Sequence, residues 1–275
     1  MKQTIHIYYV SISMAFVFIV ACNSVNETVD LRIFSTATSI SAGEDHTCAV
    51  LSGGTVKCWG YGSYGQLGDG STTSTQSTPV SVSSISTATS ISAGSSHTCA
   101  MQSGGKVRCW GGNSYGQLGQ DHNNNLGDDP GEITTLADIS LKMEAVVVDT
   151  GAFHSCAILK DGAIQCWGNN TYGQLGLGHK DHQGDDSGEM AALKTVDLGS
   201  NAKAVALSLG EYHSCALLET GQVKCWGRGD KGQLALNNME NVGDGMGKCE
   251  RDFLCSGRTG FTNMVTADRD WMPFW

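Results

Sequence analysis

The stretch Gly43-Glu-Asp-His46-Thr-Cys48-Ala-Val-Leu-Ser-Gly-Gly-Thr-Val-Lys-Cys58-Trp59-Gly-Tyr-Gly-Ser-Tyr-Gly65-Gln66-Leu67 decides the fold, because it recurs. Its opening, Gly-x-x-His-[Ser/Thr]-Cys-Ala, returns at Gly94, Gly151 and Gly210, carrying His97, His154 and His213. Ten residues after Cys48, Cys99, Cys156 and Cys215 comes a second cysteine, always before Trp-Gly: Cys58, Cys109, Cys166 and Cys225. Gly-Gln-Leu begins six residues after each Trp, at Gly65, Gly116, Gly173 and Gly232. The copies are spaced 51, 57 and 59 residues apart, too long for helical-pair repeats, and no amphipathic run of period 3.6 is present. The apolar stretches are short and β-rich, at Ser39–Ser41, Thr47–Leu51, Thr55–Trp59 and Pro79–Val82. Four short strands in about 50 residues is the size of one propeller blade.

The turns agree. Three-residue loops separate the paired cysteines, with Gly third in each: Gly54, Gly105, Gly162 and Gly221. A type I turn followed by a left-handed residue is the common hairpin of this length. It sets Leu51 opposite Thr55 and Cys48 opposite Cys58, on a non-hydrogen-bonded pair with Cα atoms ~4.5 Å apart. That is close enough for a disulfide. Of eleven cysteines, eight thus form four hairpin pairs. Cys249 and Cys255 are left as a fifth pair or as free thiols, and reduced, buried thiols are the alternative throughout. Zinc is disfavoured because a spacing of ten is not that of zinc ligands.

Composition sets limits. The chain has 275 residues, 36 of them Gly, without a collagen period. Charged residues make up 16% and the formal net charge is −10, which argues against nucleic acid as a partner. Eleven cysteines point to an oxidising compartment. Residues 1–21 read as a secretory signal with an apolar run from Ile7 to Val20, too short to span a bilayer comfortably. It ends Ile19-Val20-Ala21-Cys22, like a bacterial lipobox, so Cys22 is the expected lipid attachment site and residues 22–27 a tether. The expected location is the extracytoplasmic cell envelope, the outer membrane in a Gram-negative cell, with the membrane reached through the anchor.

The repeat resembles that of the regulator of chromosome condensation family, over about residues 28–236, and the extra cysteine pair looks like its secreted bacterial branch. The resemblance implies an all-β propeller of four-stranded antiparallel blades, seven in the family. Here about four are present, with cores at 38–82, 89–139, 145–198 and 204–236, followed by an atypical segment at 237–275. Val29–Leu31 stands 14 residues before Gly43, as Val80, Ala137 and Val196 stand before the later copies, and so reads as a lone fourth strand. It either closes a four-bladed ring or leaves an open one; the expectation is an incomplete, open ring.

Chemistry is sparse. A histidine repeated in every blade is expected to be structural, bonded to backbone between strands, since an active site needs a local asymmetric constellation. The four Trp are expected to pack between blades. Gly112-Asn-Ser114-Tyr-Gly116 fits a nucleophile elbow but lies in the repeat's turn, a chance match. The loops after Leu118 and Leu175 are longer and acidic. Asp121, Asn123, Asn125, Asp129 and Glu132 fall at calcium-loop positions, although Leu126 replaces the required Gly and no flanking helices are expected. His179 and His182 add metal-ligand types, while solvated loops capped by Asp are the plainer reading.

No enzyme and no cofactor are expected. The expected role is a binding scaffold for a protein or cell-envelope ligand. A secreted inhibitor of β-lactam-hydrolysing or cell-wall enzymes, and nucleotide exchange by family analogy alone, are the alternatives. A binding module should show exposed aromatics on its loops.

Overall fold

The structure, a computed structural model, describes residues 36–244. The readings for Cys22, Val29–Leu31, Cys249 and Cys255 fall outside them. The first blade is a meander of β1 (Ala37–Ala42), β2 (His46–Leu51), β3 (Val56–Tyr61) and β4 (Thr75–Ser81). The second has β5 (Ala88–Ala93), β6 (His97–Gln102) and β7 (Lys106–Gly111), followed by the single turn α1 (Glu132–Thr135). The third has β8 (Ala145–Thr150), β9 (His154–Leu159) and β10 (Ile164–Gly168), then α2 (Glu189–Ala192). The fourth has β11 (Ala204–Leu209), β12 (His213–Leu218) and β13 (Val223–Gly227). All pairings are antiparallel.

The hairpin register is the expected one. Cys48 faces Cys58, Cys99 faces Cys109, Cys156 faces Cys166 and Cys215 faces Cys225. Each pair has its Cα atoms 4.1 Å apart and its sulfurs at bonding distance, 2.02 to 2.11 Å. The turns differ in one detail. Only Gly162 and Gly221 take positive φ in the third and fourth hairpins, whereas both loop glycines do in the first two, Gly53 and Gly54, Gly104 and Gly105. Positive φ at the third residue of a turn is the requirement of type II, open to a Gly-Gly loop and costly for Asp161 or Thr220.

A complete fourth strand forms only in the first blade. In the second and third, the added acidic residues interrupt it. There it is reduced to the bridges Gly111↔Leu126 and Gly168↔Gln183, and to single bonds from Ile139 N to Val107 O and Val196 N to Ile164 O, both 2.8 Å. The short helices fill the gap and bury Ile133 and Met190 beneath them. In the fourth blade the bridge Gly227↔Val242 shows residues 237–244 following the same path.

The first strand of each blade packs on the first two strands of the blade before it, so the cores lie between blades. Trp110, Trp167 and Trp226 are 0% exposed. Among the described residues, no strand of the first blade packs in this way against the fourth, and none covers their outer faces. Ile40 is 66% exposed, whereas Ile91 at the same repeat position is 6% exposed. Leu217 and Val223 are likewise exposed on the fourth blade, where Val50 and Val56 of the first are buried. The described residues thus form an open β-propeller of four blades. Among them, no helix is long and apolar enough to cross a membrane.

Candidate functional site

The repeated polar residues are joined into one device. Thr98 Oγ1 donates to the carbonyl oxygen of Gln66 (2.9 Å), and Trp110 Nε1 donates to the same oxygen (3.0 Å). Since the Thr98 hydrogen is committed, its oxygen accepts from His46 Nε2–H (2.8 Å). One blade on, Ser155 and Trp167 meet Gln117 O, and His97 Nε2 meets Ser155. The next repeats it with Ser214, Trp226, Gln174 and His154. The Gln side chain meanwhile caps its own turn, Gln66 Oε1 accepting from Tyr64 N at 2.9 Å.

His46, His97 and His154 are therefore structural, as expected, while the described residues hold no blade after His213 for it to bond. Their partner is a hydroxyl of the next blade rather than backbone, because the backbone there is already used in the strands. Burial pulls His46 down to about 4 and His97 and His154 to about 3, with neighbouring histidines adding repulsion for the latter two, so the rings are neutral. Their Nδ1 atoms are buried without a partner, pressed on the glycine that opens each copy. A Cβ on Gly94 would collide with Gly151 O and the His97 ring, which explains the motif's first residue.

The acidic loops are also occupied internally. Glu132 Oε2 accepts from Gly127 N and Asp129 N, and Glu189 Oε2 from Gly184 N, Asp185 N and Asp186 N. Asn125 Oδ1 accepts from Asn113 N, His182 Nδ1 from Asn170 N, and Asp121 Oδ1 from Met190 N of the following loop. His179 lies beside Asp181 at 3.7 Å. Asp121, Asn125 and Glu132 thus turn onto backbone amides, and among the described residues no group of three His, Cys, Asp or Glu side chains that could hold a metal forms. Burial, with repulsion from Glu132 and Glu189, raises Asp128 and Asp185 above the usual carboxylate range. Ser114 is exposed, and among the described residues no histidine hydrogen-bonds it, so the nucleophile-elbow match stays a turn.

What remains is a face of rings from two repeat positions, one a tyrosine in three of the four copies and one a ring in only two. The residue before Gly-Gln-Leu supplies Tyr64, Tyr115 and Tyr172; the residue before the repeated His supplies Phe153 and Tyr212. Tyr115 and Phe153 meet edge to face at 5.7 Å, Tyr172 and Tyr212 at 5.2 Å, and Phe153 stacks on Tyr212 at 6.0 Å. Arg228 lies over Tyr172 and Tyr212, 5.2 and 5.8 Å from their centres, held in a fork by Asp230. Burial raises the Tyr212 phenol, and Glu211 beside it adds to the shift. Two adjoining clefts of about 460 and 530 Å³ open along this face and share Glu44, Ser95 and Phe153. Their walls carry the carboxylates of Glu44, Asp45 and Glu211 and no basic side chain. Aromatic rings around a cleft are the usual anchors of recognition surfaces. The pattern was visible in the sequence only as Tyr before Gly-Gln-Leu; the partner rings lie some 40 residues on, at positions that vary.

Blades stacked one against the next, with a ringed cleft along one face, define an open propeller with a candidate binding surface. The regulator of chromosome condensation (RCC1) repeat model matches residues 53–101, 104–158 and 161–217, and a second model of the same repeat matches 37–66, 88–117, 146–174 and 204–233. The chain belongs to this family. It is similar to the ultraviolet-B receptor UVR8 of Arabidopsis thaliana, 31% identical over 72% of this chain and 42% of the receptor. It is also similar to the human probable E3 ubiquitin-protein ligase HERC6, 32% identical over 72% of this chain and 18% of the ligase. The chain thus spans less than half the length of these curated relatives. Among solved structures, yeast RCC1 (Prp20), crystallised bound to Kap60, superposes with a TM-score of 0.56 at 25% identity over 70% of this chain and 42% of that one. Human WBSCR16 gives 0.60 at 17% identity, over 76% and 52%.

Proposed function

We propose that this chain is a non-catalytic scaffold that binds a protein partner through the tyrosine-lined face, and that Cys22 carries a lipid holding it in the extracytoplasmic cell envelope. The observation that supports this most is the division of labour among residues. The repeated His, hydroxyl, Trp and Gln groups are consumed between blades, while the rings before Gly-Gln-Leu and before the repeated His gather around open clefts. A photo-crosslinking phenylalanine analogue placed singly at Tyr64, Tyr115 or Tyr172 tests the reading, with Met143 and Val205, exposed away from these clefts, as controls. A discrete protein adduct from the tyrosine positions and none from the controls is expected. Equal labelling from both sets, or none from either, contradicts it. For the anchor, metabolic labelling with a fatty-acid analogue is expected to mark the chain and to be lost in Cys22→Ala; labelling that survives the substitution refutes it.

A further inference from the structure

The face carries its own example of what it accepts. Arg228 stands three residues after Cys225, and its guanidinium covers the pair formed by Tyr172 of one blade and Tyr212 of the next. Two blades earlier, the corresponding residue is Gly112, which has no side chain, and the corresponding tyrosine is Tyr64. Gly112 and Ser96, the latter at the repeat position of Tyr212, line a cleft of about 460 Å³ walled by Tyr61, Tyr64, Tyr115 and Phe153. Arg228 is balanced by Asp230; in this cleft the residue matching Asp230 is Ser114, and the negative charge comes instead from Glu44 and Asp45, both exposed. Glu44 accepts the Ser95 hydroxyl on one oxygen, and the Asp45 carboxylate accepts no hydrogen bond among the described residues.

Resting on the scaffold reading above, we propose that the Gly112 cleft takes an arginine side chain from an exposed basic segment of the partner. Its guanidinium lies against Tyr64 and Tyr115 as Arg228 lies against Tyr172, and Glu44 and Asp45 replace Asp230. The attraction is that of a cation for ring faces, reinforced by carboxylates in a partly desolvated cleft.

The test is a fluorescence-anisotropy titration of the full chain with a labelled (Gly-Arg)₄ peptide, with (Gly-Glu)₄ and the N-acetylglucosamine tetramer as competitors. The arginine peptide is expected to bind, and neither competitor to displace it. E44Q/D45N is expected to weaken it about tenfold or more, with the melting temperature unchanged because both carboxylates are exposed. Tyr115→Leu is expected to weaken it similarly with the charges intact. Binding that is absent, or unaffected by both variants, or displaced by the glutamate peptide or the sugar, overturns the inference. If the crosslinks from Tyr115 persist in that case, the scaffold reading stands and only the cationic ligand falls; if they also vanish, both fall.

Discussion

His97 shows what one repeated residue contributes. Its Nε2 reaches Ser155 at 3.0 Å on the next blade, and the ring is fully buried between two like neighbours, His46 and His154. Its folded value of about 3 lies below the 6.5 of an exposed imidazole. Between these values the unfolded chain holds a proton that the folded chain does not. Stability is therefore full above pH 6.5 and falls as the pH drops below it. The slope approaches about 1.4 kcal/mol per pH unit for each such ring. Asp149, buried and raised, works in the opposite sense, its contribution declining as pH rises, but it is common to wild type and variant. Denaturant unfolding of His97→Gln between pH 7 and pH 4 is expected to show a shallower acid loss than wild type by about that slope; identical slopes refute the neutral, buried ring. That the histidines were structural was legible from their recurrence. Their partner was not, since Thr98 lies 52 residues from His46 and nothing local distinguishes a hydroxyl that bridges blades from one that faces water.

The hairpin is the element that the cysteines secure. A link across ten residues removes about 3 kcal/mol of chain freedom from the unfolded state. Cys99→Ala/Cys109→Ala is expected to lose about 2–4 kcal/mol in urea unfolding without reductant; a loss below about 0.5 kcal/mol would mean that the pair is not bonded. This register was readable because a three-residue loop ending in Gly leaves one pairing open, and the pairing repeated four times. The fourth strand was read less well. Copies two and three place their extra residues inside it, and loop length alone does not tell whether an insertion extends a turn or splits a strand. The repeat of Gly127-Asp128 as Gly184-Asp185 and Gly243-Asp244 held the clue. Each sits against the Gly-Gln-Leu glycine of the blade before, at Gly65, Gly116 and Gly173, so the loop belongs to the interface between blades.

Across the molecule, the residues that join the blades and those of the proposed binding face are different ones. The ends of the array test the open arrangement through one repeat position. Ile91→Ala, in the core between blades, is expected to cost about 2–5 kcal/mol, whereas Ile40→Ala is expected to cost about 0.5 kcal/mol or less. Comparable losses at both would show that the first blade's outer face is covered. The ring-lined face was legible only in part, because rings from separate copies meet solely through the stacking of blades: Phe153 and Tyr212, 59 residues apart, stack at 6.0 Å. That stacking carries one hydrogen bond per junction, Trp110, Trp167 and Trp226 each donating to the Gln carbonyl of the blade before. Hydrogen exchange of the indole Nε1–H protons by NMR tests it directly. Strong protection is expected at Trp110, Trp167 and Trp226; exchange at those three as fast as in a free indole would rule the stacking out.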